Sequence, residues 1–115
     1  MVLLSDGLNR VRDLVNNDIF KCQAGTGTTS PTPADTGLET ADSNTLLAPS
    51  KTTASESIQV THTINSTIGS GTSYSEQEIQ LNSGTDHLNR IVHTAITKGS
   101  EDEFNYITNI FFKSL

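Results

Sequence analysis

The sequence predicts a mainly β domain: a small antiparallel β-sandwich preceded by a short N-terminal helix. Three observations lead there. The 115-residue chain is rich in Ser and Thr and carries only 17% charged residues, a composition that favours strands and loops over helices. Its second half alternates apolar and polar residues with the period of a half-buried strand. Turn-forming clusters then recur at intervals of roughly ten residues, the spacing of a sandwich. Hydrophobic residues make up 33% of the chain, low for a globular domain, so the core is expected to be thin and completed at a subunit interface.

The elements follow in order. Residues 1–17 form the N-terminal helical segment, with the helix itself over "SDGLNRVRDLVN" (5–16). Ser5 is placed to cap it and Asp6 suits the first turn. Leu4, Leu8, Val11, Leu14 and Val15 fall on one stripe. Gly7 weakens it by about 1 kcal/mol relative to Ala, and Asn16-Asn17-Asp18 ends it. "IFKCQAG" (19–25) reads as a strand. It leads into an ordered Gly/Pro/Thr loop, 25–42, which holds two of the three prolines, Pro31 and Pro33. In that loop Gly25 and Gly27 are expected to supply positive φ, and Asp35 to tie down the amides that follow it.

A strand over 43–53 is marked by Pro49 as an edge or an end. In "SESIQVTHTINST" (55–67), Ile58, Val60, His62 and Ile64 alternate with Gln59, Thr61 and Thr63. "GSGTS" (69–73) is a turn, "YSEQEIQLN" (74–82) a weaker strand, "NSGTD" (82–86) a turn and "HLNRIVHTAIT" (87–97) a strand. "KGSEDE" (98–103) reads as a charged hairpin turn. "EFNYITNIFF" (103–112) sets Phe104, Tyr106, Thr108, Ile110 and Phe112 on one face and Ile107 and Phe111 on the other, which suggests burial on both sides. One domain spans 1–115.

Several chemistries find little support. Net charge is −6 and the seven basic residues are scattered, which disfavours nucleic acid as a partner. No apolar run exceeds four residues, so neither a membrane span nor a signal-peptide core is expected. "GTGTT" (25–29) lacks the lysine of a phosphate loop and the third glycine of a dinucleotide site. His62, His87 and His93 show no metal-ligand spacing with each other or with Cys22 and read as surface or rim residues. Cys22 reads as a small buried side chain. The carboxylates Glu76/Glu78 and Glu101/Asp102/Glu103 read as solvated faces and turns rather than a catalytic pair. "NST" (65–67) matches a glycosylation sequon but lacks a secretory context. No catalytic residue, cofactor or metal is expected.

The order of segments carries a resemblance. Gly25-Thr26-Gly27-Thr28 opens a loop. Asp35, Thr36, Leu38 and Glu39 follow, then Gly71, Thr72 and Glu76, then Leu88 and Arg90, then Ile96-Thr97-Lys98 before a final aromatic strand. Across about residues 3–112 this pattern resembles a family of small virion structural proteins of tailed phages and tailed archaeal viruses, of the tail-fibre or tail structural type. It departs from that family at Glu78, where glycine is usual, at Gln80, where an aromatic is usual, and in a last strand without Trp. The resemblance implies a non-enzymatic structural component of a virus particle, of the tail (fibre, baseplate or spike adaptor), assembled in the host cytoplasm. Its partners would be further copies of itself, for instance as a trimer, other virion proteins and a host surface. Leu8, Val11, Val15 and Phe112 are the expected contact residues, while Gly25, Gly27 and Asp35 shape the loop. A capsid decoration or turret protein is the alternative within this reading, and a carbohydrate-binding β-sandwich module the alternative outside it.

Overall fold

A computed structural model describes residues 1–114. It shows a mainly β fold with two antiparallel sheets and one N-terminal helix. Helix α1 (Ser5–Asp18) is followed by β1 (Ile19–Gly25), β2 (Ala41–Leu47), β3 (Ser50–Ala54), β4 (Ser57–Ile64), β5 (Ser73–Leu81), a 3-10 turn (Asn82–Gly84), β6 (Asp86–Thr97) and β7 (Phe104–Phe111). One sheet has the order β2-β1-β5-β6 and the other β3-β4-β7.

The chain changes sheet three times, and two sequence expectations fail there. The predicted strand 43–53 is two strands, β2 and β3, separated at Ala48-Pro49 and placed in different sheets. Proline has no N–H to continue the ladder, so the break falls where the chain crosses over. Likewise 98–103 is no hairpin turn, because β6 and β7 lie in different sheets. The remaining boundary differences are small. Residues 55–56 form the two-residue turn between β3 and β4, where Ala54 pairs with Ser57 and Glu56 has φ 56°. Leu4, not Ser5, occupies the helix cap, with no side-chain hydrogen bond, and α1 runs on through Asp18.

The interior is two small apolar clusters with a polar layer between them. Ile19, Cys22, Ile58, Val60 and Ile79 form the first, flanked by Val15, Leu81, Ile110 and Phe112. Ala24, Ile64 and Tyr74 form the second, flanked by Ile68, Phe104 and Tyr106. On the inward face of β4, His62 sits between Val60 and Ile64 and is fully buried, which corrects its reading as a rim residue. Its Nε2 lies 2.8 Å from the Thr45 carbonyl and its Nδ1 3.3 Å from Gln77 Nε2. A histidine on an apolar face is thus a hydrogen-bonded core residue, as buried polar groups must be.

Strand β5 is the largest departure from expectation. It reads as weak because it is polar, yet Tyr74 through Gln80 are all buried. It occupies the middle of its sheet, between β1 and β6. The reverse holds for β7. Its alternate residues Phe104, Tyr106, Thr108 and Ile110 are half-buried, while Ile107 and Phe111 are 59% and 64% exposed. The expected two-sided burial is absent because the outer face of this sheet is uncovered: Gln59 and Thr63 of the central strand β4 are exposed on it too.

Candidate functional site

The most constructed region of the molecule is the outer face of β5, where the loop 26–40 folds over the sheet. Glu76 projects into that loop and is fully buried. Its Oε2 accepts the Gly27 amide at 2.8 Å and the Thr40 amide at 2.8 Å. Its Oε1 accepts the Glu39 amide at 2.9 Å and Arg90 Nε at 2.9 Å. Four donors thus converge on one carboxylate, three of them backbone amides at the two ends of the loop. Burial alone would push the Glu76 carboxyl up; the Thr40 amide, Arg90 and the Glu39 and Gly27 amides together hold it below its ordinary value.

Arg90, on β6, continues the network outward. Its side chain is 5% exposed, and Nη1 donates to Asp35 Oδ2 at 3.1 Å. Asp35 in turn accepts the Thr32 amide and hydroxyl, each at 3.1 Å. Asp35 therefore ties down an amide three residues before it, rather than those after it. The Thr32 amide, followed by the Thr32 hydroxyl and Arg90, holds the Asp35 carboxyl below its ordinary value. Nearby, the Thr29 hydroxyl and Thr28 amide donate to Glu39 and lower its carboxyl as well. Thr and Asp side chains of this loop thus bond to its own backbone and to one another, a local source of partners for a segment without regular secondary structure.

The glycines serve a different purpose from the one expected. Gly25 and Gly27 lack positive φ; the positive-φ glycines are Gly37, Gly69, Gly71 and Gly84. What Gly25 and Gly27 supply is room. A Cβ on Gly27 would stand 2.5 Å from both Glu76 Oε2 and Glu39 Cβ, and one on Gly25 would stand 2.7 Å from Glu76 Oε2 and meet the Thr40 carbonyl. The backbone must touch the carboxylate, so no side chain fits.

One pleat further along β5, Glu78 is 2% exposed and its Oε2 lies 2.6 Å from His87 Nδ1 on β6. Gln80 Nε2 donates to the other oxygen of Glu78 at 2.9 Å. Gly37 lies over the His87 ring. Beside this pair is an open cleft of about 320 Å³, lined in part by Pro31, Pro33, His87, Leu88 and Arg90. The reading of Glu76 and Glu78 as solvated is therefore wrong: both are buried, because the loop and β6 cover the outer face of β5. Lys98, read as part of a charged turn, is fully buried too, and its Nζ has no hydrogen-bond partner among the described residues.

The other sequence-selected residues are dispersed. Leu8 is buried, and Val15 and Phe112 pack on the first core cluster of their own chain. Only Val11 of the four expected contact residues is exposed, at 45%. The exposed apolar groups on and before the helix are Met1, Val2, Leu3, Leu4, Val11 and Leu14. Cys22 is buried, and burial, then the Glu78 charge, pushes its thiol up to about 12. No group of three or more His, Cys, Asp or Glu residues placed to hold a metal occurs among the described residues, and no helix there is long and apolar enough to cross a membrane.

Sequence reasoning missed Glu76 and Arg90 as partners. In the sequence both stand out only as motif positions, and the signal that could pair them is indirect. A long loop rich in backbone donors needs buried acceptors, and the carboxylates of an otherwise turn-free polar strand are the natural supply. No family model matches the chain, and no curated protein or solved structure matches it significantly.

Proposed function

We propose that this chain is a non-enzymatic structural component of a tailed-virus particle, belonging to the tail as a fibre, baseplate or spike adaptor. It acts by assembling with itself and with other virion proteins. The observation that carries the reading is the Glu76 node. A carboxylate, an arginine and three backbone amides are joined so completely that they hold a long loop rigidly on a sheet. Such saturation suits a part that must keep its shape under load. A catalytic carboxylate needs an open side toward substrate, and Glu76 has none. The order of the Gly-Thr loop, Asp35, Glu76 and Arg90 along the chain supports the same reading, since these are the residues that build the node.

Quantitative mass spectrometry of purified particles from the source tests it. An abundance far below that of the major capsid protein is the expected result for a tail component. Abundance comparable to the capsid protein would move the chain to the capsid surface as a decoration. Absence from particles would overturn the virion reading, and glycan-array binding by the isolated domain would then put a carbohydrate-binding module in its place.

A further inference from the structure

The four strands that end the two sheets are β2, β6, β3 and β7. An open strand edge presents unpaired N–H and C=O groups to any other strand, and folded proteins usually blunt it with charge, bulges or short length. Three of the edges here are blunted. Strand β3 is five residues long, fully exposed and carries Lys51. Strand β2 carries Asp42 and pairs with β1 through a register shift. Strand β6 shifts register against β5 twice, and such irregularities bend an edge away from regular pairing.

Strand β7 has none of these devices. "FNYITNIF" contains no charge and no proline, and it pairs with β4 through eight consecutive residues without a shift. Its outer face exposes Ile107 and Phe111, and its inner face leaves Phe104, Tyr106 and Ile110 only half covered.

We propose that β7 is a self-association edge, pairing antiparallel with β7 of a second copy to join two three-stranded sheets into one of six strands. The charges that bracket the strand select this occupant and this direction. Exposed Glu103 precedes β7 and exposed Lys113 follows it, on the same outer face by the alternation of the strand. Antiparallel pairing brings opposite charges together, whereas parallel pairing would bring like charges together.

The register follows. Opposed residues in a two-fold antiparallel pair must lie on one face of the sheet. With Thr108 on the axis, Glu103 falls opposite Lys113 of the second copy, at both ends. Phe104 then faces Phe112, and Tyr106 faces Ile110, so the half-covered inner residues complete one another. This inference concerns the chain alone and stands whether or not the chain belongs to a virion.

Sedimentation equilibrium of the full chain, with disulfide trapping, tests it. The wild type is expected at twice its 12.4 kDa chain mass. Lys113→Glu replaces two attractions by two repulsions at exposed sites and is expected to weaken the dimer roughly tenfold. Adding Glu103→Lys to it restores the affinity. Under oxidation Thr108→Cys is expected to crosslink, since residues paired on the axis have Cα atoms about 5 Å apart. Asn109→Cys is not expected to, because its two copies stand roughly 8 Å apart in this register. Circular dichroism of each reduced variant confirms the fold.

A monomer at every concentration overturns the proposal. So does a dimer indifferent to the charge changes, or one that crosslinks at 109 and not at 108. A chain absent from particles that still dimerises through β7 defeats the virion reading and leaves this one intact.

Discussion

Replacing Glu76 by glutamine keeps the shape of the side chain and removes half of its accepting capacity. Glutamine has one carboxamide oxygen. If that oxygen takes the Oε2 position, the Gly27 and Thr40 amides keep their acceptor, while the Glu39 amide and Arg90 Nε meet an NH₂ group. The other orientation reverses the losses. Either way two buried donors are orphaned, at about 1–3 kcal/mol each, and the loss of a buried charge partner falls in a similar range of about 3–5 kcal/mol. Arg90 retains Asp35, so the expected destabilisation of Glu76→Gln is about 4 kcal/mol. Urea unfolding at pH 7 followed by circular dichroism measures it. Hydrogen exchange localises it, with protection lost at the amides of Gly27, Glu39 and Thr40. The pH dependence supplies an independent check. The folded Glu76 carboxyl lies below its ordinary value of 4.5, so its contribution is fully present above that value and is lost as pH falls through the folded value. Glu76→Gln removes that part of the acid sensitivity. A loss under about 1 kcal/mol with the three amides still protected would refute the claim that Glu76 holds the loop.

Three further outcomes are expected. Gly27→Ala drives a Cβ to 2.5 Å from Glu76 Oε2, and a shift in the urea midpoint should show a cost of about 1–3 kcal/mol, the range for overpacking a closed site. Lys98→Met replaces a buried amine that lacks a partner among the described residues and should raise stability by about 1 kcal/mol or more in the same assay, since an unpaired buried polar group opposes folding. Burial holds the His62 ring below its ordinary value of 6.5, against the Thr45 carbonyl, which favours the proton. The unfolded chain then binds the proton more readily, so stability is full above 6.5 and falls as pH drops from there toward the folded value; His62→Gln should flatten that segment of the stability–pH curve relative to wild type.

Much of the architecture was legible from local pattern. The alternation of Ile58, Val60, His62 and Ile64 marks the inward face of β4, and all four are buried. "IFKCQAG" forms β1 over the expected residues 19–25. The helix and the turns read at 69–73 and 82–86 also follow from short-range chemistry, because apolar spacing, glycine and strand period act over a few residues. Assignment of strands to sheets was not legible: Pro49 signals a break, but nothing local says that the chain crosses to the other sheet there. Nor was the burial of β5. Glu76, Glu78 and Gln80 alternate along its outer face, and polarity in a strand ordinarily means solvent.

The sequence by itself therefore determined most element types, the inward face of β4 and the presence of a long donor-rich loop, all properties of neighbouring residues. Only the tertiary structure decided that Glu76 and Arg90 meet beneath that loop, that Gly25 and Gly27 are required for space rather than for φ, and that β7 is left at an open edge. Each of these depends on which distant segment comes to lie alongside. A buried carboxylate is stable only where the fold brings donors to it, and the donors for Glu76 come from residues 36–49 positions earlier in the chain and from Arg90, 14 positions later.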